Sequence, residues 1–189
     1  HIPAIVNAWY PGEQGGTAVA DVLFGDYNPA GRLPLTYYKS LDELPAFDDY
    51  DITKGRTYKY FKGDVLYPFG YGLSYSSFKY SDLKVKDGAN TVSVSFRLKN
   101  TGKRKGDEVA QVYVRIPETG GVVPIKELKG FRRIPLKSGE SRVVEIELDK
   151  EQLRYWDAGL GRFIVPQGAF DIMVGASSKD IRLQTVINL

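Results

Sequence analysis

Three segments in the second half of the chain alternate apolar and polar residues with a period of two. They cover residues 91–100, 109–115 and 142–148. Alternation of this kind is typical of strands that bury one face and expose the other. Four weaker strand patterns accompany them, at residues 78–85, 126–134, 169–174 and 181–187.

Turn-forming residues separate these segments, as at Asp87-Gly88, Asn100-Thr101-Gly102 and Ser138-Gly139. This succession of short strands and turns predicts a mostly β chain with an immunoglobulin-like β-sandwich over residues 76–189. The chain has no cysteine, so a fibronectin type III-like sandwich without the antibody-type disulfide fits better. Residues 150–156 are expected to form one helical turn between the sheets.

A partial α/β unit precedes this region, in residues 1–36. The apolar residues 3–8 predict a short buried strand, and residues 10–16 predict a glycine-rich loop. Residues 17–24 have helical spacing, with Gly25 placed to end the helix. A lone strand and helix cannot bury their apolar faces without neighbouring parallel strands. We therefore expect the rest of this α/β layer to lie outside the chain.

Residues 37–75 show little periodicity and contain much Gly, Pro, Asp and Tyr, which predicts a long irregular linker. Seventeen of the 24 aromatic residues lie in the first 80 positions. Residues 1–75 have a net charge of −3, whereas residues 76–189 have a net charge of +6. The two regions thus differ in surface chemistry, and we expect the aromatic residues to attach the linker to a larger body.

Composition excludes several kinds of chemistry. The absence of cysteine excludes thiol nucleophiles, zinc fingers and iron–sulfur clusters. The single histidine, His1, excludes a Ser-His-Asp triad and a histidine-rich metal site. A net charge of +3 is too small to indicate nucleic acid binding. The apolar runs are far shorter than the ~20 residues of a membrane span. We expect no metal, no cofactor, no nucleic acid partner and no membrane partner.

Several motifs in this chain resemble, in order and spacing, the C-terminal part of glycoside hydrolase family 3. One begins Ala8-Trp-Tyr-Pro-Gly-Glu-Gln-Gly-Gly and ends Asn28-Pro-Ala-Gly-Arg-Leu-Pro. A second is Tyr67-Pro-Phe-Gly-Tyr-Gly-Leu-Ser-Tyr. The others are Lys99-Asn-Thr-Gly with Gly106-Asp-Glu-Val-Ala-Gln-Val-Tyr-Val, and Lys126-Glu-Leu-Lys-Gly-Phe.

The resemblance implies an enzyme with an N-terminal (β/α)8 barrel, an α/β sandwich domain and a fibronectin type III-like domain. Residues 1–36 would end the α/β sandwich domain, residues 37–75 would be the linker and residues 76–189 the last domain. Such enzymes hydrolyse β-glycosides with retention through two carboxylates, which lie upstream of His1 in the family. The chain would then hold no catalytic residue, and its partners would be the remainder of the enzyme and, through it, an oligosaccharide substrate.

The pattern Gly55-Arg-Thr-Tyr resembles the β-xylosidase branch of the family, with a β-glucosidase as the alternative parent. The family suggests a periplasmic or secreted location. A third hypothesis is a non-catalytic carbohydrate-binding module. The position of most aromatic residues outside the sandwich argues against such a module.

Three neighbouring residues are candidates for substrate binding. Trp9 and Tyr10 could stack on a sugar ring, and Glu13 could accept hydrogen bonds from sugar hydroxyls in a loop after a strand. In the alternative interpretation, Trp9 belongs to a core and Glu13 stabilises the start of the following helix.

Arg56 is a fourth candidate, since it could form one edge of a sugar site together with the nearby Tyr58 and Tyr60. It could equally be a structural fork that binds carbonyl groups. The acidic residues Asp48, Asp49 and Asp51 lie beside Lys54 and Arg56, so we expect them to stay solvated and ionised rather than to act as catalytic acids.

Overall fold

A computed structural model describes residues 2–189, and its main body is a sandwich of two antiparallel sheets. The strands of the sandwich are β3 (Phe78–Asp87), β4 (Thr91–Asn100), β5 (Gly106–Arg115), β6 (Glu127–Leu136), β7 (Ser141–Asp149), β10 (Ala169–Gly175) and β11 (Ile181–Asn188). One sheet has the strand order β3-β4-β7 and the other the order β11-β10-β5-β6. These seven strands confirm all seven segments predicted from alternation and turns.

The sandwich core consists of the inward-facing residues of both sheets. In β4 every second residue from Val92 to Leu98 is buried, as the alternation predicts. These side chains meet apolar residues of the opposite sheet in one cluster. The main contributors are Val92, Val94, Phe96 and Leu98 from one sheet and Ala110, Val112, Val114, Phe170, Ile172 and Val174 from the other.

Short elements connect β7 to β10. A 3-10 turn at Lys150–Leu153 buries Leu153 and confirms the first part of the helical turn predicted at residues 150–156. Tyr155 and Trp156 lie instead in the strand that follows. A hairpin follows, formed by β8 (Tyr155–Asp157) and β9 (Arg162–Ile164). Trp156 and Phe163 pack edge to face on this hairpin, and each remains more than half exposed.

The predicted helix before the sandwich is present, but the predicted strand is not. Helix α1 (Gly15–Phe24) ends at Gly25, whose φ of 84° is the left-handed conformation expected of a helix-ending glycine. Residues 3–8 form no strand and are exposed, so the buried-strand prediction is wrong for this structure. A strand needs neighbours to pair its backbone groups, and no segment of residues 2–189 pairs with this one.

The segment from Tyr37 to Tyr75 contains only short elements, as predicted for an irregular linker. They are strand β1 (Tyr37–Tyr38), a 3-10 turn at Ile52–Lys54, helix α2 (Thr57–Tyr60) and strand β2 (Val65–Tyr67). Strands β1 and β2 pair with each other rather than with the sandwich. The helices of residues 2–189 are all too short or too polar to cross a membrane.

Candidate functional site at the junction of the linker and the sandwich

A buried ion pair joins the segment before the linker to the sandwich. Arg32 donates from Nη2 to Glu108 Oε2 at 2.9 Å, and both side chains are less than 10% exposed. Tyr80 donates its hydroxyl to the other oxygen, Glu108 Oε1, at 2.7 Å. Glu108 lies on β5 and Tyr80 on β3, so the cluster bridges the two sheets as well.

Electrostatics make this cluster structural rather than catalytic. Burial raises the pKa of the Glu108 carboxyl, and the charge of Arg32 opposes that rise. Burial also raises the pKa of the Tyr80 hydroxyl. A carboxyl with a raised pKa could act as a general acid, but Glu108 is 3% exposed and both its oxygens are occupied. Its charge therefore serves to hold Arg32.

Asn28 forms a second connection between the first segment and the sandwich. Its Nδ2 donates to the Lys105 carbonyl at 2.9 Å. Its Oδ1 accepts hydrogen bonds from the Ser74 hydroxyl at 2.9 Å and from the Tyr75 backbone N–H at 2.7 Å. One side chain thus holds together three parts of the chain: the segment after α1, the end of the linker and the loop before β5.

The outer face of β5 is covered by the linker. Gln111 donates from Nε2 to the Gly70 carbonyl at 3.1 Å and to the Ala176 carbonyl at 2.7 Å. Its Oε1 accepts a hydrogen bond from the Tyr113 hydroxyl at 2.5 Å. Tyr58 of the linker contacts Tyr113 edge to face, with 5.9 Å between the ring centroids. The linker therefore packs on the sandwich instead of crossing solvent.

The structure leaves Trp9, Tyr10 and Glu13 exposed near the start of the chain. Trp9 is about half exposed and Tyr10 is 99% exposed, so the alternative of Trp9 as a core residue does not hold in this structure. Trp9 has a positive φ of 52°, and its backbone N–H is bound by the Asn7 side chain at 3.1 Å. Glu13 lies just before α1, and among the residues that the structure describes no hydrogen bond joins its side chain to the start of that helix. Within residues 2–189, no hydrogen bond joins these three residues to Arg56.

Arg56 binds backbone carbonyls of its own loop. Its Nη2 donates to the carbonyls of Ala46 at 2.6 Å and Pro45 at 3.2 Å, and its Nε donates to the carbonyl of Asp49 at 3.1 Å. This is the geometry of the structural-fork alternative. The arrangement fixes the loop that precedes α2.

The acidic residues of that loop are unsuited to acid catalysis. A hydrogen bond from Lys54 lowers the pKa of the half-buried Asp49, and hydrogen bonds from Thr53 lower the pKa of the exposed Asp51. Both carboxylates therefore remain ionised near neutral pH. Residues 2–189 also contain no group of three or more His, Cys, Asp or Glu side chains that could hold a metal ion.

Comparison with known protein families shows which family shares this architecture. The model described as "Glycosyl hydrolase family 3 C-terminal domain" matches residues 1–75. The model described as "Fibronectin type III-like domain" matches residues 108–178. Together they match more than half of the chain. The chain belongs to glycoside hydrolase family 3. The fold class predicted from the sequence is confirmed as well.

Individual relatives of this chain carry glycosidase names. A xylan 1,4-beta-xylosidase of Xylanibacter ruminicola is 47% identical over 97% of this chain, which spans 21% of that protein. A periplasmic beta-glucosidase of Salmonella typhimurium is 38% identical over 95% of this chain, which spans 25% of that protein. The crystal structure of a beta-D-glucoside glucohydrolase from Trichoderma reesei superposes on this chain with a TM-score of 0.87 at 33% identity. The match covers 93% of this chain and 29% of the Trichoderma chain.

The junction joins the two regions that the two family models match. Arg32 lies in the first region and Glu108 in the second. The sequence alone does not identify these two residues as a pair. A signal was present: Glu108 occurs in phase with Ala110, Val112 and Val114, so a charge falls on the core face of β5. A buried charge requires a partner, but its position in the chain does not reveal which residue that is.

Proposed function

We propose that this chain is the C-terminal part of a retaining, exo-acting β-glycosidase, with β-xylosidase as the first assignment and β-glucosidase as the alternative. The proposal depends on one observation: 47% identity, over 97% of the chain, to a protein named xylan 1,4-beta-xylosidase. Identity to the Salmonella beta-glucosidase is lower, at 38%. This difference favours a xylose-terminated substrate.

In this proposal the chain has a structural role, and the catalytic carboxylates belong to the remainder of the enzyme. Retaining hydrolysis requires two carboxyl groups about 5 Å apart, one of which has a raised pKa. Glu108 has a raised pKa but is bound to Arg32 and Tyr80, and Asp49 and Asp51 have lowered pKa values. The described carboxyl groups whose pKa is shifted therefore do not form the pair of carboxyl groups that retaining hydrolysis requires.

The proposed partner of this chain is the rest of the same enzyme. Large apolar side chains on the first segment and the linker are exposed, including Tyr10, Phe24, Leu41, Phe47 and Tyr50. Concentrated apolar exposure of this kind marks contact surfaces. The proposed division is an α/β remnant in residues 1–36, a linker in 37–75 and a sandwich in 76–189.

We expect the enzyme that contains this chain to hydrolyse an aryl β-xyloside with a higher kcat/KM than an aryl β-glucoside. The isolated 189-residue chain is expected to hydrolyse neither. Release of the aryl group, followed by absorbance, measures hydrolysis by the whole enzyme and by the isolated chain. The reverse order in the whole enzyme would support the β-glucosidase alternative. Turnover by the isolated chain would contradict the structural role.

Saturable binding of xylo-oligosaccharides to the isolated chain, followed by tryptophan fluorescence, would support a carbohydrate-binding module.

Within the whole enzyme, we propose that Trp9, Tyr10 and Glu13 contact the substrate and that Arg56 contributes by fixing the loop at residues 45–49. The exposed aromatic rings can stack on a sugar, and the Glu13 carboxylate can accept hydrogen bonds from hydroxyls. Arg56 would act through the carbonyls that it binds.

Glu13→Gln in the whole enzyme is expected to raise KM for the aryl β-xyloside by about tenfold to a hundredfold, the range for losing a charge-assisted hydrogen bond. Glu118→Gln is the matched control, because Glu118 is an 86% exposed carboxylate on the sandwich. A KM that is equal in both variants would remove Glu13 from the proposed site.

A further inference from the structure

A cavity of about 430 Å³ lies between the linker and the sandwich. The linker contributes Tyr58, Phe61 and Lys62 to its wall, and the sandwich side contributes Ile125, Lys126 and Lys179. The volume falls within the range of roughly 300–1,000 Å³ that is usual for small-molecule sites. Because the two walls come from distant parts of the sequence, the cavity exists only when the linker is docked.

The wall of this cavity carries three positive charges and no carboxylate. Lys126 is half-buried and donates to the Ser178 carbonyl at 2.8 Å. Lys179 reaches a carboxylate oxygen of Asp64 only at 3.9 Å, and Asp64 also contacts Lys39 at 3.4 Å. Within residues 2–189, Lys62 and Lys126 have no ion-pair partner.

Two further observations indicate that a negatively charged group is suited to this wall. Burial and the nearby charge of Lys179 lower the pKa of the Lys126 ammonium, as expected where positive charge is not compensated. In addition, the hydroxyl of Thr36, another wall residue, is buried without a hydrogen-bond partner in the described part of the chain. Both groups would gain from an oxygen-bearing anion.

We propose that this cavity binds a small aromatic carboxylate. The aromatic ring would lie against Tyr58 and Phe61, and the carboxylate would lie between Lys126 and Lys179. A ring suits the aromatic side of the wall through offset or edge-to-face packing. A carboxylate suits two ammonium groups that lack a close counterion. This site is independent of the proposed glycosidase activity.

The test uses 4-hydroxycinnamate as the probe and calorimetric titration of the 189-residue chain as the measurement. The neutral amide of the same compound tests the charge, and acetate tests the ring. We expect the carboxylate to bind at least tenfold more tightly than the amide, with acetate showing no saturable binding. Equal affinity for the carboxylate and the amide, or equal affinity for acetate, would overturn the proposal.

Two lysine variants locate the site. Lys126→Met and Lys179→Met are each expected to weaken binding of 4-hydroxycinnamate about tenfold, whereas Lys103→Met, a change to an exposed lysine of the sandwich, leaves it unchanged. Lys179→Met removes no hydrogen bond to a buried carbonyl, so it remains informative if loss of the Lys126–Ser178 contact disturbs folding. Unchanged affinity in the Lys179 variant would contradict the proposal, as would the same loss in the Lys103 control.

Discussion

Replacement of Arg32 by methionine is expected to lower the free energy of unfolding by about 3–5 kcal/mol, the usual cost of leaving a buried charge without its partner. Arg32 and Glu108 form a 2.9 Å ion pair in which both side chains are almost completely buried. Without Arg32, the Glu108 carboxylate keeps only the hydrogen bond from Tyr80. Urea unfolding followed by tryptophan fluorescence measures the change.

Arg97→Met is the matched control for this substitution. Arg97 forms an ion pair of the same 2.9 Å length with Asp82, but its side chain is 49% exposed. Exposed pairs of this kind contribute about 0–1 kcal/mol. The double variant Arg32→Met/Glu108→Gln is expected to recover part of the lost stability, since no unpaired charge remains. Equal effects of the Arg32 and Arg97 substitutions would show that burial of the pair is unimportant.

The effect of Arg32→Met should depend on pH. Burial already raises the pKa of Glu108 above the usual 4.5, and loss of the arginine charge raises it further. The folded variant then retains a proton that the unfolded chain releases as the pH rises above 4.5. Its stability relative to the unsubstituted chain therefore decreases with increasing pH. We expect a smaller deficit at about pH 5 than at about pH 7.5, and the opposite order would contradict this account.

The second large effect is expected for Gly70→Ala, which should detach the linker from the sandwich. Gly70 has a φ of 80°, and a Cβ added there would overlap Gln111 Oε1 and lie 2.9 Å from the Tyr113 hydroxyl. A left-handed alanine costs about 1–2 kcal/mol, and overpacking of a buried site costs typically about 1–3 kcal/mol more. We therefore expect a loss of about 2–5 kcal/mol, with faster tryptic cleavage after Lys59 and Lys62.

Gly139→Ala is the control that separates the cost of a left-handed backbone from the cost of steric overlap. Gly139 has a φ of 76°, close to that of Gly70, but a Cβ there would meet no atom within 4 Å. This substitution is expected to lower the free energy of unfolding only by the cost of a left-handed alanine, about 1–2 kcal/mol. It should leave tryptic cleavage of the linker unchanged. If Gly139→Ala accelerated cleavage of the linker as much as Gly70→Ala, the contact between Gly70 and Gln111 would not be what holds the linker on the sandwich.

Local sequence patterns were sufficient to predict the structure where burial follows a fixed period along the chain. The alternation in β4 places Val92, Val94, Phe96 and Leu98 on one face, and the structure buries all four. The end of α1 was similarly predictable, because Gly25 adopts the left-handed conformation that other residues disfavour.

Local patterns failed where a structure depends on distant partners. Residues 3–8 have the composition of a strand, but a strand forms only when another strand pairs with its backbone groups. Arg56 was recognisable as a candidate site residue, yet its hydrogen bonds to the carbonyls of Pro45, Ala46 and Asp49 depend on how its loop closes.

The sequence by itself determined the sandwich strands, the helix end and the family, because each follows from residue types at fixed short spacings or from motifs in a fixed order. Only the tertiary structure decided that Arg32 is the partner of Glu108, 76 residues away, and that Gln111 and Tyr113 on the outer face of β5 are buried. The physical reason is that a charge on the core face of a strand requires a partner, whereas a polar residue on the outer face is solvated unless another segment covers it. Which residue is that partner, and which segment covers that face, depend on how distant segments pack.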